Sequence, residues 1–277
     1  DVTFQQKTLD DLAQHYYAST FQGKMGSDAY NKVLQDWLNE QTGGMLKEQA
    51  KGVTLEPETL IALATTLYYR GMWSNRFDPS ATKPDTFHGT DGDVTCDFLH
   101  RSGADDYLWG DRFSAISQSL ANSGSMWFFR PDDGVKPEAL LQDEQVQKLL
   151  AAPDSWEQTK YLTVNCAIPK FDVASDLNLR ESLQGLGITD VFDVEKADFS
   201  PLTQDDQPAY LSQVKHAARV TIDEDGCTAA AFTVAAVAGM SAPPVDEVDF
   251  VLDRPFLFVL TGADGSPLFV GIVRQPA

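Results

Sequence analysis

Helical and strand periodicities mix irregularly along this chain, and their order predicts an α+β fold. Two helical stretches open it and β-rich runs fill its middle and end. No strand–helix–strand rhythm links them. With 277 residues, 43% hydrophobic and 22% charged, the chain has the composition of a folded protein, sized for one large domain or two small ones.

Residues 8–18 place apolar side chains at helical spacing behind a Thr8 cap. Residues 28–42 repeat the pattern, with Asp28 as the cap and Tyr30, Val33, Leu34, Trp37 and Leu38 on one face. Gly43-Gly44 supplies a stop. Residues 59–69 are apolar nearly throughout, which suits a strand buried on both faces, although periodicity leaves a buried helix open. Asp91-Gly-Asp93 reads as a hairpin turn rather than a cation site. Across 105–130, β-rich runs such as Ser125-Met-Trp-Phe-Phe129 alternate with turn signals. Residues 137–150 form an amphipathic helical pattern. Residues 161–173 read as a strand that Pro169 interrupts near an edge or an end. Residues 176–186 are helical and stop at Gly187. Residues 214–223 are a strand, and 247–260 and 267–274 are two more, parted by the turn Thr261-Gly-Ala-Asp-Gly265. There is no internal repeat and no low-complexity linker.

The net charge is −20 and the sequence pI about 4.4. That disfavours nucleic acid, polyanions and anionic membranes as partners, and suits solubility or a basic partner. No apolar run reaches transmembrane length. Asp1 opens into a polar segment that resembles the middle of a fold, so no signal peptide is expected. Cys96, Cys166 and Cys227 are odd in number and widely spaced, which predicts free thiols rather than a disulfide framework or a zinc site. His15, His88, His100 and His216 show no ligand spacing, so neither metal nor cofactor is expected. Gly239-Met-Ser241 brushes against a hydrolase elbow. Pro243 stands where the second glycine belongs, and no catalytic role is assigned. Gln204-Asp-Asp206 reads as a solvated loop.

One segment fits none of the ordinary patterns. From Cys227 to Ser241 there is no charge, and only Phe232 and Met240 are bulky. It is too slim to anchor a core and too apolar for a surface loop. Small and β-branched residues suit a strand in a narrow slot. An acidic entry and a Gly-Met-Ser-Ala-Pro-Pro exit resemble loop. The segment reads as one built for two places, outside as a loop and inside as a strand.

Several blocks, in order, resemble the serpin family. Leu67-Tyr-Tyr-Arg-Gly-Met-Trp73, with Phe77 and Thr86-Phe-His88, is similar to one family block. Ile168-Pro-Lys-Phe171, Leu177-Asn-Leu179 and Leu186-Gly-Ile-Thr-Asp190 are similar to another, and Ala197-Asp-Phe-Ser200 to a third. Glu224-Asp-Gly-Cys-Thr-Ala-Ala-Ala231 resembles the family hinge. Asp253-Arg-Pro-Phe-Leu-Phe258 and Pro267-Leu-Phe-Val-Gly-Ile-Val273 resemble the C-terminal blocks. The chain departs from the family pattern at Thr65, usually Asn, at Cys227 and Thr228 in the hinge, and at Phe232.

The resemblance implies a serpin-like fold: a central β-sheet, smaller sheets, packed helices and a mobile reactive-centre loop spanning about residues 226–246. It implies a single domain over 1–277 whose N-terminal portion is absent from this chain. It implies no enzyme but a suicide-substrate inhibitor of a serine protease, acting extracellularly or at the cell surface and as a monomer. A non-inhibitory binding or carrier protein, or a loop merely cut as substrate, is the alternative. Counting the family's loop length from Glu224 places the reactive bond at Met240–Ser241, where the residues also resemble the antitrypsin-like loops of the family. An unbranched apolar Met suits a chymotrypsin-, elastase- or subtilisin-like primary pocket. The hinge would comprise Glu224, Gly226, Cys227, Thr228, Ala229, Ala230 and Ala231. His216, Trp73 and Thr65 would belong to the region that governs sheet opening. Alternation gives one face of Cys227, Ala229, Ala231, Thr233, Ala235 and Val237, with nothing larger than Val, so Phe232 faces outward if that face is inserted.

Overall fold

The computed structural model describes residues 3–45, 47–57, 59, 61–67, 69–121, 124–203, 209–227 and 244–276. In chain order its elements are α1 (Gln6–Tyr16), α2 (Asp28–Gln41), α3 (Lys47–Lys51), β1 (Ile61–Leu67), β2 (Gly71–Met72), β3 (Lys83–Gly89), β4 (Gly92–Trp109), β5 (Phe113–Ser119), β6 (Ser125–Pro131), α4 (Pro137–Leu140), α5 (Glu144–Ala151), β7 (Thr159–Pro169), β8 (Phe171–Asn178), α6 (Arg180–Gly185), β9 (Leu211–Ile222), β10 (Gly226–Cys227), β11 (Glu247–Val251), β12 (Phe256–Thr261) and β13 (Pro267–Val273). The class is α+β. The chain divides into two compact units, one of residues 1–68 with 174–219, the other of 69–173 with 220–277.

In the first unit, β1 and β9 pair in parallel, and β8 takes the other edge of β9. Leu38, Ala50 and Val53 form a buried cluster on which Leu34, Trp37 and Ala64 pack, so α2 is seated through its apolar face and through β1. Asn31 Oδ1 accepts the Leu55 N–H at 3.0 Å, tying α2 to the segment before β1. The N-cap of α2 is Ser27, whose side chain accepts from the Tyr30 N–H, rather than Asp28. Val33, expected on the apolar face, is 39% exposed. Gly43 and Gly44 both adopt positive φ, which ends the helix where glycine permits. Thr8 caps nothing. It lies inside α1 and donates its hydroxyl to the Pro201 carbonyl. The expected double-sided burial of β1 does not hold, since Leu63 is 49% exposed. Residues 176–178 extend β8 rather than opening a helix, and α6 starts only after Asn178 Oδ1 accepts the Arg180 N–H.

In the second unit, eight strands form a sheet in the order β11-β7-β4-β5-β6-β12-β13, with β3 also on β4. Its core is phenylalanine-rich: Phe87, Phe98, Phe113, Phe128, Phe129, Phe256 and Phe258 are each at most 2% exposed. Burying each such side chain is worth about 1.5–3 kcal/mol relative to leaving it in water. On one face of the sheet, Leu140, Val146 and Leu149 pack in a cluster with Phe113, Phe129, Trp127 and Leu257. The helix expected over 137–150 is two pieces, because Asp143 accepts the Gln145 N–H and starts a new helix there. The strand expected over 247–260 is likewise two. Residues 252–255 break it, and Pro255 lacks the N–H a ladder needs. The hairpin reading of Asp91-Gly-Asp93 holds: Gly92, at positive φ, turns β3 into β4. Pro169 closes β7, as expected of a proline at a strand end.

Candidate functional site

The chain leaves β9 at Ile222 and turns sharply through Asp223, Glu224 and Asp225. Asp223 Oδ1 accepts the N–H groups of Asp225 at 2.9 Å and Gly226 at 3.1 Å, which closes the turn. Gly226 then pairs with Met72, and Cys227 pairs with both Gly71 and Ile222. A Cβ at Gly226 would stand 2.1 Å from the Gly71 carbonyl oxygen, so only glycine allows this approach.

Residues from a distant part of the chain hold the turn. Trp73 donates its indole N–H to the Asp223 carbonyl at 2.8 Å and its backbone N–H to Asp225 O at 3.0 Å. The Phe77 N–H reaches Glu224 O at 3.1 Å, and Arg76 pairs with the Asp225 carboxylate at 2.9 Å. The Glu224 carboxylate, 18% exposed, takes the Thr82 hydroxyl at 2.8 Å and the Lys170 ammonium at 3.0 Å. Burial alone would raise the Glu224 carboxyl. The hydrogen bonds from Thr82, from the Glu224 backbone and from Lys170, with the charge of Lys170, together outweigh it and hold the group below its ordinary range. Burial pushes the Cys227 thiol up to about 11, so it stays protonated at neutral pH and is a poor nucleophile.

A second set of predicted residues meets on the parallel seam. Thr65 and His216 are register partners on β1 and β9, and Thr65 Oγ1 lies 2.9 Å from His216 Nδ1. Ser212 Oγ, near the start of the seam, bonds Thr59 Oγ1 at 3.3 Å. The seam's direction matters. A chain that leaves the C-terminal end of β9 and folds back beside it runs antiparallel to β9. Because β1 is parallel to β9, that chain is antiparallel to β1 as well.

The structure thus brings Thr65 and His216 together. It places Trp73 at the turn after β9, through its bonds to Asp223 and Asp225. Of the predicted hinge residues, Glu224, Gly226 and Cys227 lie together in the turn after β9 and the short strand β10. Thr228, Ala229, Ala230, Ala231, Met240 and Ser241 lie outside the described residues. Sequence reasoning missed Thr82, Arg76 and Lys170 as hinge contacts. The one available signal was Lys170 itself, a lone cation inside the apolar run Ile168-Pro-Lys-Phe171. Among the described residues no three His, Cys, Asp or Glu side chains group so as to hold a metal ion.

Comparison with known proteins gives this arrangement a family. The family model "Serpin (serine protease inhibitor)" matches residues 1–276. The chain is 32% identical over 283 residues to Alpha-1-antitrypsin 1-2 of Mus musculus, covering all of this chain and 65% of that protein. It therefore spans just under two thirds of the length of that relative. Among solved structures it is similar to the thermophilic serpin Tengpin in its native state, with a TM-score of 0.84, 23% identity and coverage of 99% of this chain and 70% of that one. It is also similar to thyroxine-binding globulin in complex with thyroxine, with a TM-score of 0.80, 23% identity and coverage of 100% and 72%. These structural likenesses establish the fold. The chain belongs to the serpin family.

Proposed function

We propose that this chain is the larger part of a suicide-substrate inhibitor of a serine protease with an apolar primary pocket, and that its two units act as one domain. The protease attacks Met240–Ser241. The severed segment then enters the seam between β1 and β9, starting from the hinge at Gly226 and Cys227. The bound protease is carried along and its active site is spoiled. The protein acts outside the cell or at its surface, as a monomer, and is not itself a catalyst.

One observation carries this reading. β1 and β9 pair directly and in parallel from Ile61 to Leu67. A strand returning from the end of β9 would find antiparallel partners on both sides. Insertion replaces one interface with two, which adds roughly a dozen backbone hydrogen bonds worth about 1 kcal/mol each. That is of the order of a whole domain's stability, ~5–15 kcal/mol. The inserted face carries no charge, and a charge there would cost several kcal/mol.

A non-inhibitory role is the second reading. What favours it is Cys227, already buried and paired with Gly71, and the likeness to a thyroxine-bound globulin. The full-length protein mixed with chymotrypsin, elastase or subtilisin decides between them. The inhibitor reading expects a band of summed mass that survives boiling in detergent. A cut loop with fully active protease contradicts it.

A further inference from the structure

We propose that Arg101 is a positioning residue for the hinge: gripped by Asp105 and Gln118, it fixes the segment 75–77, which in turn holds the turn after β9. This rests on the inhibitor reading above and names what sets the outcome once the loop has been attacked.

Arg101 and Asp105 stand on either side of Gly103 on β4, on the face whose register partners Cys166 and Leu162 are buried. A cation and a carboxylate are costly on such a face unless each is partnered. Gln118, 3% exposed, reaches both: its Oε1 accepts from Arg101 Nη2, and its Nε2 lies 3.5 Å from Asp105 Oδ2. Arg101 Nη2 is itself 3.5 Å from Asp105 Oδ2, and the Asp106 N–H bonds Asp105 Oδ1 at 2.9 Å. Burial pushes the Asp105 carboxyl up, and the Asp106 N–H and the Arg101 charge offset part of that.

The same guanidinium reaches the segment that anchors the turn. Its Nη1 donates to the Asn75 carbonyl at 3.0 Å, and its Cζ sits 5.2 Å from the centroid of the Phe77 ring. Phe77 is 2% exposed and meets Trp73 edge-on at 6.0 Å. The end of β5 that supplies Gln118 also takes the Ser74 N–H on the Ser119 carbonyl at 2.8 Å, and Leu120 just beyond it bridges Trp73. Residues 73–77 are therefore held at Trp73 and Ser74 by the end of β5, and at Asn75 and Phe77 by Arg101. Their other groups hold the turn after β9: Trp73 and Phe77 by hydrogen bonds, Arg76 by its ion pair with Asp225. All of these residues lie in the second unit. A planar fork serves the contacts to Asn75, Phe77, Gln118 and Asp105 together, which a single ammonium does not.

The consequence is kinetic. Attack leaves the Met240 carbonyl joined by an ester to the protease serine, and two fates then compete. Either the freed segment inserts, or water splits the ester and returns the serine hydroxyl and a Met240 carboxylate. Cys227 is already paired with Ile222 and Gly71. A fixed turn therefore starts insertion in register, and a loose one has first to find that register.

The test uses the full-length protein with chymotrypsin. It measures the total rate of loop consumption and the ratio of cleaved chain to covalent complex. Arg101→Ala should leave the rate within about twofold of wild type and raise the ratio at least about fivefold. Arg101→Lys should not restore it. Asp105→Asn keeps the shape of the cluster and should raise the ratio too. Added to Arg101→Ala it should raise the ratio no further, because Asp105 acts through Arg101. Asp105→Asn also carries the test if Arg101→Ala fails to fold. Val146→Ala, a cavity in the core cluster of the same unit, controls for mere destabilisation: its thermal midpoint should fall with the ratio unchanged. Ratios equal to wild type in Arg101→Ala and Asp105→Asn overturn the positioning role alone, as does an equal rise in Val146→Ala. A wild type that gives cleaved chain and no covalent complex overturns the inhibitor reading, and this role with it.

Discussion

Glu224 concentrates the chemistry of the hinge in one side chain. Its carboxylate is mostly buried and takes a hydroxyl from Thr82 and an ammonium from Lys170, while its backbone carbonyl holds Phe77. Glu224→Gln keeps the shape and removes the charge. A hydrogen bond to a charged group contributes about 1.5–3 kcal/mol, so the variant should unfold several degrees below wild type at pH 7, at roughly 2–4 °C per kcal/mol. The pH dependence has a definite sign. The folded-state carboxyl lies below its ordinary value of 4.5. Its contribution is therefore complete above that value and is lost as pH falls through the lowered folded value. The gap between variant and wild type should close on acidification below pH 4.5 and stay constant from pH 6 to 8. Identical midpoints at pH 7 would contradict the assignment. Cys227, two residues past Asp225, adds no such titration, because burial keeps its proton on to about 11.

At the scale of elements, the proposed function pairs the seam between β1 and β9 with the segment after Cys227. The first offers two parallel edges once opened, and the second offers a face no larger than valine. Ala231→Glu or Thr233→Arg puts a charge on that face. Each should leave attack at the reactive bond intact and convert inhibitor into substrate, read as cleaved chain replacing the covalent complex. Unchanged inhibition would mean that the inward face is the other one. Elements with a strong local period were legible from sequence. The face of α2 is one, and the Gly92 hairpin is another. The strand β4 was not legible as a single element. Its alternation breaks at the adjacent buried pair Phe98-Leu99 and at Arg101, Gly103 and Asp105 on partly buried positions, and it is held by pairing with β7 from Phe98 to Leu108, a partner about sixty residues away. The segment 137–150 shows the reverse case, where a continuous amphipathic pattern hides the Asp143 cap that splits it. Of the site, composition and resemblance drew attention to Glu224, Gly226 and Cys227, which the structure gathers at the turn after β9. Thr82, Arg76, Trp73 and Lys170 were not readable as its anchors, because each meets the hinge only through tertiary folding.

For the whole molecule, the proposed function requires a chain that folds with a favourable strand addition left unmade. The described structure holds the hinge at the mouth of β9 and keeps β1 and β9 in direct contact. On this account the folded protein lies above a lower state by about as much as one extra β-ladder provides, roughly ten kcal/mol. The chain covers 65% of the length of its antitrypsin relative, so the measurement belongs on the full-length protein. Thermal unfolding is recorded before and after a single cut of the segment between residues 228 and 241, with both pieces retained. The cut adds no contact by itself and would ordinarily lower stability. If the freed segment inserts, the midpoint rises by about 20 °C or more. A midpoint unchanged or lowered would contradict insertion, and with it the inhibitor.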